Sequence, residues 1–586
     1  MNFKDAQPKI TQDGLFADLQ QKPQNVKELI AFFKRETNFE KTVEAGFYDT
    51  SQIPHPKLLK QCTEMAMAFA DCLERKKKIL ILGDYDVDGV SAVALFARFF
   101  KKINYPHWQS FLPNRFTHGY GLNPKMRKDV LHLKPEVIVT VDNGTNAWEE
   151  VEFYQNLKIL ILITDHHKSL LSEELSAKIP YLVNPHQKNC FYPAKEICGT
   201  LVVFLFLIEL RRVLRERIFF LNQEKEPNLF EDLDLVTLGT LADQMPLVGL
   251  NRFLVRLGMQ KILCSQNKKR KSAHAYIQKI QENLTQPLRF EDLSFSFLPM
   301  LNAAGRIGSA EIALKFLLST PENAGVYYAE LLKNNAHRKN IQNVMFAKAF
   351  ALAKTKNNNP ALAIFDPSFH EGISGIVATK LTKQLEKPVV IFAAGEEGML
   401  KGSCRTPSSM SVLPLLQTCQ EWIVEFGGHD HAAGVQIHEK NLPAFQTTFE
   451  NYKQQEPDEK FLTQTSEKEK KKLPLLLDPK WIGLELLEAL KELEPFGSGN
   501  PFPTFQIANI DLSQPTFSNE KVQKWLQNGK TSGEIYNLVY FGKYAREWKS
   551  KGWNLTGSAR LNLFQGKEQV EFLIQSWQES QISEQP

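Results

Sequence analysis

Short, unbroken apolar runs punctuate the first half of this chain, and each ends in a polar cluster. Ile79-Leu80-Ile81-Leu82 ends in Gly83-Asp84, and Val137 to Val141 ends in Asp142-Asn143-Gly144. Ile159 to Ile163 ends in Thr164-Asp165-His166-His167, and Leu182-Val183 ends in Asn184-Pro185. Runs this short, apolar at every position, predict strands buried on both faces of a parallel sheet. Val90 to Phe100, lying between two of them, reads as a helix. Strand, polar cluster, helix and strand in alternation predict an open α/β sheet, whose sites lie at the carboxyl ends of its strands.

The rhythm returns further on. Ala361 to Phe365, a Gly-rich turn, a helix and Val389 to Phe392 predict a second α/β domain, closed by the stretch Phe426 to Gly434. The intervening segment patterns as a helical connector with a basic patch at Lys268, Lys269, Arg270 and Lys271. Residues 463–472 have the polar, charged composition of an exposed linker. Beyond it, Ile535 to Phe541, Leu555 to Phe564 and Val570 to Ile574 read as strands, the last two joined through Gln565-Gly566-Lys567 as a hairpin. A small antiparallel barrel accounts for them, and the OB-fold is a common barrel that grips single strands. The expected organisation is an irregular lead-in with short helices at 1–60, an α/β domain at 61–254, and the connector at 255–355. The second α/β domain follows at 356–455, then the linker at 456–472 and the barrel at 473–586.

Composition narrows the picture. A chain of 586 residues, 43% hydrophobic and 23% charged, can bury several cores. A net charge of +5 makes no strong basic field, so a polyanion would have to be held by a local groove. The seven cysteines are scattered, with no C-x-x-C pair, so neither a disulfide framework nor a zinc knuckle is indicated, and a reducing compartment fits. The polar N-terminus lacks the apolar core of a signal peptide. Leu201 to Leu210 is too short to span a bilayer and runs into Arg211, Arg212 and Arg215, so it reads as a buried helix. A cytoplasmic protein without membrane attachment is expected.

The polar clusters carry the chemistry. In Gly83-Asp84-Tyr85-Asp86-Val87-Asp88-Gly89, carboxylates at every second position of an extended segment project to one side. Like charges so close repel unless a cation lies among them. An exposed acidic turn is the bland alternative. An EF-hand loop is another, but Phe96 and Ala97 occupy the place of its downstream Glu ligand. Asp142, Asp165-His166-His167 and Asp243, the last closing the helical run Leu233 to Ala242, place further carboxylates and imidazoles at neighbouring element ends. Hard oxygens mixed with imidazole suit manganese or magnesium. Two such ions, about 3.5–4 Å apart, would activate water and stabilise the phosphoryl oxygens of an in-line displacement, which is phosphate-ester hydrolysis.

GDYDVDG at 83–89, VDNGT at 141–145, TDHH at 164–167 and GTLADQMPL at 239–247 resemble the four ordered motifs of the DHH phosphoesterase superfamily. PNRFTHGYGL at 113–122, LNAAGRIGSA at 301–310, FHEGISGIVATKL at 369–381, KGSCRTP at 401–407, GGHDHAAG at 427–434 and PFGSGNP at 495–501 are similar to its RecJ branch. The resemblance spans about 55–505 and, more loosely, the C-terminal barrel. It implies a DHH domain, a DHH-associated domain and an OB-like domain, and a two-metal exonuclease degrading single-stranded DNA from the 5′ end to mononucleotides in repair and recombination. Carried over residue by residue, it implies that Asp142 bridges two Mn2+ or Mg2+ ions. Asp86 would bind one, with Asp84 as a ligand or a supporting partner, and Asp88, His166 and Asp243 the other. His167 would face the scissile phosphate. Asp165 would either orient a neighbouring imidazole or cap a helix. Arg115, Arg306, Ser403, Arg405 and His429 would hold substrate phosphates, and Tyr120 would stack on a base or fill a turn. Ser374 and Cys404 depart from the family's usual residues.

The resemblance also implies a monomer working with single-strand-binding protein and a helicase. A relative acting on short oligoribonucleotides or cyclic dinucleotides is one competing reading, though such relatives lack the connector and barrel. A non-catalytic replication scaffold is another, and it would show eroded metal ligands, whereas Asp86, Asp88, Asp142, His166 and Asp243 are all present. Trp525, Trp553 and Trp577 are expected in the barrel core rather than as stacking platforms.

Overall fold

The four apolar runs lie side by side as parallel strands. In the order of the chain they are β1 (Ile79–Leu82), β3 (Val137–Val141), β4 (Leu160–Thr164) and β5 (Leu182–Val183), with a further strand, β2 (Trp108–Phe111), on the outer side of β1. The sheet order is β2-β1-β3-β4-β5, parallel throughout. β2 carries no apolar run because an edge strand has one neighbour and its residues are only partly covered.

The computed structural model describes residues 23–47, 49–220, 226–263, 274–284, 288–356, 358–452, 474–512, 514–519, 521–528, 535–542, 552–564 and 567–579. The basic patch at Lys268 to Lys271 and the linker at 463–472 lie outside them. The described residues of Pro54–Met245 and Leu257–Lys472 form one compact unit, and those of Met1–Ile53, Pro246–Arg256 and Leu473–Pro586 form another.

In the larger unit the first sheet is flanked by α1 (Val87–Lys102) and α2 (Gly199–Glu216), and α3 (Leu233–Ala242) packs against both helices. α1 is buried from Val87 to Phe100, covered by the sheet on one side and by α2 and α3 on the others. Two glycines let it approach the β1 loop. A Cβ on Gly89 would stand 2.5 Å from Asp84 N, and one on Gly83 would stand 2.5 Å from Val93 Cγ2. The apolar run at Leu201 to Leu210 forms the buried core of α2, as its length requires. The connector is helical, with α4 (Leu298–Ile307) and the long α5 (Ala324–Thr355).

The second sheet contains β6 (Leu362–Phe365), β7 (Val389–Ala394), β8 (Met399–Arg405), β9 (Ile423–His429) and β10 (Ala432–His438), in the order β6-β7-β8-β10-β9. Only β6 and β7 pair in parallel; the remaining pairings are antiparallel. Along β8, Leu400, Gly402 and Cys404 are buried, so Ser403 and Arg405 share the opposite face, where α6 (Glu371–Leu385) packs. Cys404 thus fills core space, and Ser374 is buried in α6 with its hydroxyl donating to His370 O at 3.2 Å.

The smaller unit holds a seven-stranded sheet in the order β11-β12-β16-β17-β15-β14-β13. Its strands are β11 (Leu475–Leu476), β12 (Phe505–Ile510), β13 (Phe517–Ser518), β14 (Gln523–Asn528), β15 (Ile535–Tyr540), β16 (Trp553–Phe564) and β17 (Lys567–Glu579). The expected hairpin is β16–β17. The sheet departs from a wholly antiparallel one at β11–β12 and β15–β17, which pair in parallel. Trp525 and Trp553 are buried and Trp577 packs partly buried against the same core.

The N-terminal segment is more than a lead-in. Its helix Val26–Glu36 places Val26, Leu29 and Ile30, followed by Phe39 and Val43, in one core with Leu486, Leu490 and Trp525. Arg252, also buried, donates to Leu493 O at 2.9 Å and ties residues 246–256 into the same unit. Leu29→Ala is therefore expected to destabilise this unit by about 2–5 kcal/mol. Calorimetric unfolding of the variant should show the loss in one transition; unchanged unfolding would remove the segment from that core.

Candidate metal centre

Three loops of the parallel sheet and two helix ends converge. Asp84 follows β1 and Asp86 caps α1, accepting from Gly89 N at 3.1 Å. Asp142 follows β3 with a left-handed backbone, φ 62°. Gly199 opens α2, and a Cβ there would meet Asp142 Oδ1 at 2.6 Å, so glycine is required for the helix to reach the site. The N-terminus of α2 holds Asp88: its carboxylate accepts from Gly199 N at 2.6 Å, Thr200 N at 2.9 Å and Thr200 Oγ1 at 2.6 Å. Asp243 ends α3.

His166 is the meeting point. Its Nε2 stands 3.1 Å from Asp142 Oδ1, 3.6 Å from Asp243 Oδ2 and 3.9 Å from Asp88 Oδ2. Ligand-type atoms of Asp84, Asp86 and Asp142 lie within 4.8 Å of one another, as do those of Asp88, His166 and Asp243, and those of Asp142, His166 and His167. Buried oxygens of Asp84, Asp142 and Asp243 have no hydrogen-bond partner among the described residues. Orphaned hard oxygens facing one another, with a neutral imidazole among them, fit divalent cations.

The electrostatics agree. Burial, then the charge of Asp86, pushes the Asp84 carboxyl up to about 8. Burial, then Asp88, pushes Asp243 up to about 8 and Asp142 well above the usual carboxylate range. Burial and Asp88 raise Asp86 as well. Burial also holds His166 below its ordinary value, leaving its ring neutral.

His167 behaves oppositely. Burial disfavours its protonation, but the hydrogen bond and charge of Asp165 outweigh this and raise the ring to about 9. Asp165 Oδ1 lies 2.7 Å from His167 Nδ1 and accepts from His166 N, while Oδ2 accepts from Thr145 N. Loop rather than helix follows, so Asp165 braces the imidazole and caps nothing. Asn184, which the sequence did not mark as a site residue, donates to Thr145 Oγ1 and His167 O, both at 2.8 Å. The far nitrogen of His167 lies 2.9 Å from the hydroxyl of Tyr120, whose ring is more than half exposed.

Beside the acidic group stands a basic one. Arg115 lies over the Tyr85 ring at 4.2 Å. Burial, then the charge of Arg115, draws Arg306 down to about 10. Arg338, unmarked in the sequence because it sits in a polar stretch of α5, is buried and bonds Asn335 and Gln342. None of these three guanidiniums pairs with a carboxylate among the described residues. A Cβ on Gly372 would stand 1.9 Å from Arg306 O, and one on Gly375 would stand 3.0 Å from Arg405 Nη2 and 3.5 Å from Ser403 Oγ. α6 thus touches α4 at one end and the Ser403–Arg405 face along its side. The side chain of His429 lies outside the described residues.

Family models match this chain in three successive segments: the DHH family N-terminal domain over residues 78–240, the DHHA1 domain over 357–455, and the RecJ OB domain over 475–576. The chain is 31% identical over 533 residues to the single-stranded-DNA-specific exonuclease RecJ of Dickeya dadantii, a match covering 89% of this chain and 90% of that protein. The crystal structure of RecJ from Thermus thermophilus in complex with Mn2+ shares the fold, with a TM-score of 0.74 and 24% identity, covering 94% of this chain and 76% of that one. A crystal structure of exonuclease RecJ bound to manganese matches at a TM-score of 0.56 and 29% identity, covering 67% of this chain and 94% of that one.

The raised carboxyls carry a pH signature. An acid whose folded pKa exceeds its unfolded value binds more protons when folded, so its contribution to stability declines as pH rises. With Asp84 and Asp243 near 8, the chelated protein should lose thermal stability from about pH 5 to about pH 8. Added Mn2+ should raise the Tm, by more at the upper end of that range. A chelated protein that grows more stable with pH and ignores Mn2+ would contradict the site.

Proposed function

This chain belongs to the RecJ family of single-stranded-DNA-specific exonucleases, and from that premise and the geometry of its site we propose how it works. It is a metal-dependent exonuclease of single-stranded DNA. The observation that carries the residue assignment is the convergence of unpaired oxygens of Asp84, Asp142 and Asp243, with His166 against the last two, at the ends of β1, β3 and α3.

Asp84, Asp86 and Asp142 would hold one divalent ion and Asp88, His166 and Asp243 the other, with Asp142 within reach of both sets. When bound, two Mn2+ or Mg2+ ions supply an activated water and neutralise the phosphoryl oxygens. The chain's own groups do the rest. The neutral ring of His166 presents a lone pair at Nε2. His167, kept protonated by Asp165, offers its other nitrogen as a donor to a phosphoryl oxygen, in the place that Tyr120 OH takes in this structure. Arg115 and Arg306 bring positive charge without a competing carboxylate, and Ser403 with Arg405 forms a further phosphate contact on β8. His429 belongs to the same substrate-holding set.

The finer reading is 5′→3′ degradation to mononucleotides in DNA repair and recombination. The family supports it together with the OB domain, which feeds the strand by stacking and backbone charge. A monomer working with single-strand-binding protein and a helicase is part of that reading. So is the cytoplasm, which suits the buried, unpaired cysteines; among the described residues no helix is long and apolar enough to cross a membrane.

Single-stranded oligonucleotides labelled at either end, with the matching duplex, test the proposal. Nucleotides should be released from the 5′ end of single strands only, with Mn2+ or Mg2+ and not with chelator. Asp142→Ala should cut the rate by about a thousandfold. Release from the 3′ end would overturn the polarity, and an active Asp142→Ala protein would overturn the ligand assignment.

A further inference from the structure

Away from the site, α1 and α3 are joined by a buried ionic network. Arg98 on α1 places Nη1 2.9 Å and 3.0 Å from the two oxygens of Asp234, 3.4 Å from Asp232 Oδ1 and 3.0 Å from His274 Nε2. Its Nη2 donates to Leu317 O at 3.3 Å. Lys102 Nζ donates to Asp232 Oδ2 at 2.6 Å, and Tyr276 OH donates to Asp234 Oδ2 at 2.6 Å. Arg98, Asp232, Asp234 and Tyr276 are all buried. Asp232, Asp234 and His274 have the spacing of a metal site, but the guanidinium stands among them in a cation's place.

The location of this network gives it a consequence at the site. α1 begins at the metal centre with Asp86 and Asp88 and runs away from it; α3 runs toward the centre and ends in Asp243. From position 88 to position 98 is a rise of about 15 Å, and from 234 to 243 about 13.5 Å. Arg98 and Asp234 therefore meet at matching distances along two antiparallel helices whose other ends carry Asp88 and Asp243. The helices touch at the site too: a Cβ on Gly239 of α3 would stand 2.4 Å from Asp88 Oδ1. Burying three charged groups is a poor device for stability alone, since apolar residues of similar size often serve as well. A planar guanidinium fork, however, fixes direction and register.

We infer that Arg98 is a positioning residue: by clamping α1 to α3 at their far ends, it sets the register in which Asp88 and Asp243 face His166. This rests on the ligand assignment proposed above. A shorter, single-pronged lysine keeps the charge but cannot hold Asp234 and Leu317 O together.

The test is Mn2+ titration by calorimetry, with thermal unfolding in chelator, on wild type, Arg98→Lys, Asp234→Asn and Glu450→Gln. Glu450 is the control, a buried carboxylate paired with Lys356 at 2.7 Å elsewhere in the same unit. Arg98→Lys and Asp234→Asn should weaken binding of one Mn2+ by about 10–100-fold, with nuclease activity recovered at high Mn2+. Glu450→Gln should lower thermal stability and leave Mn2+ affinity unchanged. Should Asp234→Asn fail to fold, Arg98→Lys decides alone. Arg98→Lys with lowered thermal stability and wild-type Mn2+ affinity would overturn the inference while sparing the ligand assignment. A wild-type chain that binds no Mn2+ would overturn both.

Discussion

Five aspartates, Asp84, Asp86, Asp88, Asp142 and Asp243, share a space in which ligand-type atoms approach within 4.8 Å. Two unit charges at about 4 Å repel by roughly 4 kcal/mol at a protein-like effective dielectric of about 20, so five cannot all ionise in company without a counter-charge. Protonation relieves the repulsion in part, which is why burial and neighbouring charge push the carboxyls of Asp84, Asp86, Asp142 and Asp243 upward. Divalent cations relieve it fully and leave the groups ionised at neutral pH. The surrounding fold makes room for this crowding. Glycines at 83, 89, 199 and 239 let the loops and helices come closer than any side chain would permit.

Around that acidic knot the charges are sorted. The N-terminus of α2 satisfies Asp88 with backbone N–H groups, so one carboxylate of the cluster is anchored before any ion binds. Asp165 stands slightly apart, bound to His167 and Thr145, and it holds the imidazole protonated while His166 next door stays neutral. Two adjacent histidines thus take opposite roles, one kept neutral by burial and the other kept protonated by its carboxylate partner. Arg115 and Arg306 lie without carboxylate partners beside the acidic knot, and Arg338 lies near Arg306. Cation sites adjoining a cationic wall match a phosphodiester, whose oxygens can be shared between them.

Much of this could be read in the sequence because the chemistry sits where the hydrophobic pattern breaks. Asp84, Asp142 and Asp165 each follow an apolar run, and parallel strands buried on both faces announce their own ends. β2 gave no such signal, since an edge strand needs no apolar run. Arg338 was hidden because its neighbours on α5 are polar and its burial comes from tertiary packing. The role of Asp165 stayed open until the backbone after it proved to be loop. The core shared by Leu29 and Trp525 could not be read at all, because local periodicity holds no information about partners so far apart in the chain. The barrel's mixed pairing was equally silent, as alternation along a strand does not say which way its neighbour runs.

In the proposed site two divalent ions lie on either side of Asp142. Anomalous diffraction at the manganese edge, from crystals grown with Mn2+, tests it most directly. Two peaks are expected, one against Asp84, Asp86 and Asp142 and the other against Asp88, His166 and Asp243, with Asp142 in contact with both. A single peak, or peaks that leave Asp142 uncoordinated, would contradict it.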